Sequence, residues 1–151
     1  MNVVLVEPEI PPNTGNVARL CAAAGACLHL VEPLGFRLDD RELLRAGMDY
    51  WQHVSWKRWE SLADLQAAAP PAGRFFYLTT RSSRPYTAPR YAPGDYLVFG
   101  KETAGLPEAL LAEHPEETIA IPMFNPAARS LNLATAVGIV LYEALRQIKA
   151  F

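Results

Sequence analysis

Ile121-Pro-Met-Phe-Asn-Pro-Ala-Ala-Arg-Ser-Leu-Asn-Leu-Ala-Thr-Ala-Val137 decides how this chain is read. An apolar run stops at Pro122, a loop broken by Pro126 follows, and Arg129, Ser130 and Asn132 lead at once into an apolar helix. A helix begins with unpaired N–H groups, so polar side chains gathered there point to a loop that holds a ligand. Two segments are its companions: Glu7-Pro-Glu-Ile-Pro-Pro-Asn-Thr-Gly-Asn-Val-Ala-Arg19 and Phe99-Gly-Lys-Glu-Thr-Ala-Gly-Leu-Pro107.

Outward from these segments, short apolar runs alternate with helical ones. Asn2–Val6, Leu28–Val31, Phe75–Leu78, Tyr96–Phe99 and Thr118–Ile121 read as strands, and His53–Trp56 as a weaker one. Asn13 or Thr14 is expected to cap a helix that runs to Ala24 and stops at Gly25. Further helices are predicted over Asp39–Ala46, Glu60–Ala68, Pro107–Ala112 and Asn132–Gln147. Such alternation predicts an α/β fold, a parallel sheet flanked by helices on both faces. At 151 residues, a single domain over 1–151 is expected.

The last helix carries one apolar face through Leu133, Val137, Val140, Leu141, Ala144, Leu145 and Ile148. Ala134, Ala136, Gly138 and Ile139 make much of the remainder small or apolar, leaving Thr135, Tyr142, Arg146 and Lys149 as the polar stripe. A helix apolar on most sides is covered twice. The expected covers are the sheet and a second copy of the chain, a homodimer.

Fourteen Lys and Arg against sixteen Asp and Glu give a net charge of -2, so RNA contact requires a local patch rather than a basic protein. Arg37, Arg41, Arg45, Lys57 and Arg58 are interleaved with Tyr50, Trp51, Trp56 and Trp59, while Arg81, Arg84 and Arg90 accompany Tyr86 and Tyr91. Cations beside aromatics suit phosphates and stackable bases. Cys21 and Cys27 lack CxxC spacing and are expected to be reduced core thiols. With no secretory pattern and no apolar run of membrane-spanning length, the protein is expected to be cytoplasmic and off the membrane.

Several chemistries are disfavoured by spacing. Gly100 and Gly105 have P-loop separation, but Leu106 and Pro107 stand where Lys and Ser or Thr are required. No G-x-G-x-x-G follows the first strand, and Ser130 has no nucleophile elbow. His29, His53 and His114 are scattered, so no metal site is expected. Gly100 remains a place where backbone can approach a ligand closely. Asn13, Asn16 and Arg19 recur every three residues and share one side of the first helix.

Together the three segments resemble the signature motifs of the SPOUT class of RNA methyltransferases. The resemblance is nearest to the small tRNA 2′-O-methyltransferases that act on a wobble cytidine or modified uridine. Glu7-Pro-Glu-Ile-Pro-Pro-Asn-Thr-Gly-Asn with Arg19 matches the first motif, Phe99-Gly-x-Glu-x-x-Gly-Leu-Pro107 the second, and Ile121-Pro-Met with Arg129-Ser-Leu-Asn-Leu133 and Tyr142-Glu-Ala the third. Glu32-Pro-x-Gly-Phe36, Arg45-Ala-Gly-x-Asp-Tyr50 and Leu78-Thr-Thr80 extend the match along the chain. Lys101, Ala104 and Ala134 depart from the family pattern. An arginine common at position 104 could touch a phosphate where Ala104 cannot, and Lys101 is the candidate to take over that role.

The resemblance implies a C-terminal trefoil knot whose loops hold S-adenosylmethionine, with Leu78, Gly100, Ile121 and Ser130 as cofactor contacts. It implies a homodimer that methylates a ribose 2′-hydroxyl in the anticodon loop of a tRNA. Arg19, Asn13 and Tyr142 are the implied catalytic residues, and Asn16, Glu102, Asn132 and Arg81 the substrate-binding ones. A guanidinium stays protonated at neutral pH, so Arg19 is read as a fixed cation that orients a phosphate and stabilises a developing alkoxide. The alternatives are a related enzyme acting on another tRNA or ribosomal RNA site, and a non-catalytic RNA-binding assembly factor.

Overall fold

The computed structural model covers residues 1–151 and describes the side chains of all but residues 47–49. Gly47 and Asp49 of the Arg45–Tyr50 match therefore lie outside the described side chains. In chain order the elements are β1 (Asn2–Val6), α1 (Pro11–Ala24), β2 (Cys27–Val31), α2 (Arg41–Trp51), β3 (Trp56–Trp59), α3 (Leu62–Ala68), β4 (Phe75–Leu78), β5 (Tyr96–Phe99), α4 (Glu108–Glu113), β6 (Thr118–Ile119) and α5 (Leu133–Lys149).

All strand pairings are parallel, in the order β3-β2-β1-β5-β4-β6. Successive side chains of a strand point to opposite faces, which divides β1 between two cores. Val3 and Leu5 join the core under α1 and α5, and Val4 and Val6 join the opposite core with Leu65 of α3. The central strands are therefore mostly apolar, as a sheet covered on both faces requires, with Asn2 of β1 and His29 of β2 as polar exceptions. The chain winds outward from β1 to β3 on one side and places β5, β4 and β6 on the other. The order thus reverses between β1 and β5. In open α/β sheets, the crevice beyond the carboxyl ends of the strands at such a reversal is where ligands bind.

Boundaries differ from the sequence expectations in ways that have physical causes. α1 starts at Pro11, and neither Asn13 nor Thr14 caps it; the N-cap is Ile10, without a side-chain bond. Pro11 and Pro12 occupy the first helical positions, where their missing N–H groups cost nothing. Gly25 ends the helix as expected, at φ 67 with its N–H donating to the carbonyl of Cys21. β3 lies at Trp56–Trp59 rather than His53–Trp56, because pairing with β2 sets Leu28 opposite Trp56 and Val31 opposite Trp59. As an edge strand it is largely exposed, which removes the apolar signature of a central one. α2 extends to Trp51, capped by Asp40, whose side chain accepts from the N–H groups of Glu42 and Leu43. β6 ends at Ile119, two residues short of expectation.

The long β4–β5 connection brackets β6 from its far side. The N–H of Ala120 donates to the carbonyl of Arg84 (2.9 Å), and the N–H of Tyr86 donates to the carbonyl of Ala120 (2.8 Å). On the near side the N–H of Thr79 donates to the carbonyl of Ile119 (3.0 Å). The chain at Ala120 is thus held between β4 and the segment that leads away from β4. It leaves this bracket to cross back over the sheet as α5, which packs on α1 and β5.

Candidate active site

At the carboxyl ends of β1, β4, β5 and β6 lies a cavity of about 940 Å³. Leu78, Gly100, Ile121 and Ser130, the four expected cofactor contacts, all line it, as do Asn13, Glu102, Asn132 and Arg81. Arg129, one of the polar residues that mark the ligand loop, also lines it, as do Thr79 and Met123, which carry no individual role in the sequence. Leu78-Thr-Thr80 and the Ile121–Val137 stretch already carried that signal.

The loop after β5 is the scaffold of the site. A Cβ on Gly100 would lie 2.1 Å from the carbonyl carbon of Gly105 and 2.2 Å from the nitrogen of Leu106. Glycine is required there because the chain folds back on itself, a closer constraint than approach to a ligand. Gly105 turns the chain at φ +68, and its N–H donates to the carbonyl of Lys101 (2.8 Å).

Lys101, Glu102 and Thr103 then fix the loop after β1. Lys101 sits 3.5 Å from the Glu7 carboxylate, so this cation already has a partner in the protein. Thr103 Oγ1 donates to Glu9 Oε1 (2.6 Å). Glu102 accepts from the N–H of Glu9 (2.8 Å) and the N–H of Ile10 (3.2 Å). Asn13 Nδ2 donates to the same carboxylate (3.4 Å), and Asn132 Nδ2 donates to Asn13 Oδ1 (2.9 Å). A negative carboxylate beside the start of α1 also meets the favourable end of that helix dipole.

These bonds show what the three residues touch within the chain itself. Glu102 is expected from the motif to bind substrate, yet its oxygens face N–H donors of the first loop. Asn132 is expected to bind substrate, yet its Oδ1 accepts from the N–H groups of Ala134 (2.9 Å) and Thr135 (3.3 Å), capping α5. Asn13 is expected to be catalytic, yet it is buried with both polar atoms engaged by Glu102 and Asn132. All three position the loops that line the cavity. The start of α5 is closed by its own cap rather than left open.

The free polar groups lie in the preceding loop instead. Among the described residues, the only hydrogen bonds made by the backbone of 121–131 are from the N–H groups of Ala127 and Ala128 to Asn125. Backbone groups without partners, beside the apolar walls of Leu78, Ile121 and Leu133, suit a flat heteroaromatic ring with a polar edge and a charged tail. S-adenosylmethionine has that make-up, and the residues present fit it.

Other expected residues lie apart. Arg19 and Asn16 are exposed on α1 and do not line the cavity, and Tyr142 is 42% exposed on α5 beyond Ala136, which does. At 1.5 Å rise per residue, the six positions from Ala136 to Tyr142 carry Tyr142 about 9 Å away along the helix. The chain's own fold thus leaves Tyr142 outside its cavity. Arg81 lines the cavity while pairing with Glu108. The Arg81–Tyr91 loop does not offer aromatic faces as expected. Tyr91 is buried against Phe76 and Tyr86 is half-buried. Arg84 there donates to the carbonyl of Glu116.

The chain matches the SpoU rRNA Methylase family over residues 1–142 and belongs to it. It is 51% identical over 150 residues, 97% of this chain and 94% of the relative, to a tRNA (cytidine(34)-2′-O)-methyltransferase of Burkholderia pseudomallei. A solved structure concerned with the 2-OH methylation of C/U34 on tRNA superposes with a TM-score of 0.94 at 48% identity, covering 99% of this chain and 97% of that one. The SpoU methyltransferase AviRb from Streptomyces viridochromogenes, in complex with the cofactor AdoMet, superposes with a TM-score of 0.84 at 26% identity, covering 97% of this chain and 57% of that one.

Proposed function

We propose that this protein transfers a methyl group from S-adenosylmethionine to the ribose 2′-hydroxyl of the wobble nucleotide, cytidine or a modified uridine, in the anticodon loop of a tRNA. The observation that carries the reading is the convergence of Leu78, Gly100, Ile121 and Ser130, from separate segments, on one cavity at the sheet's point of reversal. Membership of the SpoU family and the names of the nearly full-length relatives support the substrate. The position of Ala120 between β4 and residues 84–86 of the connection that leaves β4 supports a C-terminal trefoil knot within a single domain over residues 1–151.

When bound, the cofactor supplies a methyl group already activated on a sulfonium. The protein's own work is alignment. The 100–106 turn and the 121–131 loop hold the donor by backbone contacts, and the Glu102–Asn13–Asn132 chain keeps those loops in register. Arg19 orients the phosphate beside the reacting nucleotide and stabilises the oxygen as its proton leaves for solvent.

We further propose a homodimer acting in the cytoplasm. Arg19 and Tyr142 stand outside their own chain's cavity, on helices that pack together and leave part of their surface open. A second copy seated on the half-buried Ala134, Ala136 and Ile139 of α5 would bring such residues to a cavity they cannot reach alone.

The test is a thermal scan with S-adenosylhomocysteine followed by a methyl-transfer assay on tRNA. A ligand at about 100 times its Kd stabilises by about 2.7 kcal/mol, a shift of several degrees. No shift at millimolar ligand contradicts the reading.

A further inference from the structure

The Cζ of Arg19 lies 5.0 Å from the centroid of the Tyr50 ring, with Arg19 exposed on α1 and Tyr50 half-buried on α2. None of the ion pairs among the described residues includes Arg19. A guanidinium within about 6 Å of a ring face is attracted by the negative face of the ring quadrupole. Stacking uses the flat side of the guanidinium and leaves the N–H donors along its rim free to grip two oxygens at once. An exposed arginine otherwise samples many rotamers and loses that freedom when it grips a phosphate.

We propose that Tyr50 is a positioning residue for Arg19. Its ring fixes where the guanidinium stands, so that the donor fork meets the RNA phosphate beside the reacting nucleotide in one orientation. The inference rests on the reading of Arg19 given above. It assigns to the aromatic character of position 50 a role that packing volume alone would not need, and the tyrosine hydroxyl takes no part in it.

The test keeps shape nearly constant and varies the ring electrostatics. Tyr50→Phe, and then phenylalanines with increasing ring fluorination at position 50, are assayed with an anticodon stem-loop RNA carrying an unmethylated cytidine at the wobble position. Tyr50→Phe should stay within about twofold of the native kcat/KM, because the ring face remains. Added fluorine should lower kcat/KM progressively, to about a tenfold loss, as the cation loses its seat. The Kd for S-adenosylhomocysteine should not move. Fluorination should also weaken binding of the stem-loop RNA in the native background, and that dependence should vanish in an Arg19→Ala background. A flat response to fluorine, or one that persists without Arg19, overturns the inference. Methyl transfer that survives Arg19→Ala overturns the reading of Arg19 and the inference with it, whereas loss of transfer in Arg19→Ala with a flat fluorine series overturns the inference alone.

Discussion

Asn132 donates through Nδ2 to Asn13 Oδ1 at 2.9 Å, joining the first turn of α5 to the first turn of α1 across 119 positions of sequence. Asn13 passes the connection on to Glu102, so one polar chain links the three loops around the cavity. Because Asn132 also caps α5, Asn132→Ala should lose about 1 kcal/mol from the cap. In a chain of this size that lowers Tm by about 2–4 °C. It should also weaken S-adenosylhomocysteine binding, since the 121–131 loop loses its anchor; calorimetry on the folded variant checks this. Cofactor affinity unchanged in Asn132→Ala would mean that the polar chain does not organise the site.

Gly100 and Gly105 should respond differently to alanine. At Gly100 the new Cβ would overlap backbone of Gly105 and Leu106, which must move apart, at a cost of about 2 kcal/mol or more and with loss of the cavity wall. At Gly105 nothing lies within 4 Å and only the φ of +68 is unfavourable, a cost of about 1–2 kcal/mol. Denaturant melts of the two variants test the order. Gly100→Ala as stable as Gly105→Ala would contradict the geometry of this turn.

His29 gives the fold a pH dependence. Trp59 Nε1 donates to its Nδ1 (3.0 Å), which leaves Nε2–H to donate to Asn2 Oδ1 (3.0 Å), the neutral ring. Burial, with Lys57 nearby, lowers its pKa to about 4 from the ordinary 6.5. Between those values the unfolded chain binds more protons, so stability is full above about 6.5 and falls as pH drops toward 4. The loss is on the order of 2 kcal/mol after allowance for solvent screening. The stability gap between the native protein and His29→Gln should therefore shrink from pH 7 to pH 4. A constant gap would show that His29 is not held neutral.

For assembly, light scattering at micromolar concentration should give the mass of a dimer. Ile139→Glu places a charge on the half-buried side of α5, away from the buried Val137, Val140 and Leu141, and should yield a folded monomer with little methyl transfer. A native monomer would refute the second copy. A monomeric Ile139→Glu with full activity would refute a site shared between copies.

Much of this architecture is legible in the sequence because each buried strand is short, apolar and closed by a turn residue. β1, β4 and β5 fall where Asn2–Val6, Phe75–Leu78 and Tyr96–Phe99 place them. β3 falls elsewhere because an exposed edge strand such as Trp56-Lys-Arg-Trp59 has polar residues where a central strand is apolar. The start of α1 is hidden because Pro11 and Pro12 look like loop residues until they occupy the first turn. The cavity walls are legible as motifs, but the division of labour within them is not. Whether Glu102 faces a ligand or the N–H groups of Glu9 and Ile10 depends on contacts between residues some ninety positions apart, which no local pattern carries. Gly35 is similar. Its N–H donates to the carbonyl of Pro8, and a Cβ there would meet the Cα of Glu9 at 2.8 Å.

Both cysteines are free, as the spacing of Cys21 and Cys27 leads one to expect, and burial pushes the Cys21 thiol up to about 12, keeping it protonated. Cys21→Ala should leave methyl transfer intact and cost about 1 kcal/mol in stability, as for a small buried hydrophobic side chain. A loss of transfer in a folded Cys21→Ala protein would give the thiol a role that its burial does not allow.

The central claim is the wobble ribose as acceptor, and nucleoside mapping of tRNA from cells lacking this protein tests it most directly. In those cells 2′-O-methylation at the wobble position should disappear, and it should return when the native chain, but not Arg19→Ala, is supplied. Wobble methylation that persists in those cells, while a 2′-O-methyl group vanishes from another tRNA or ribosomal RNA site, would contradict it.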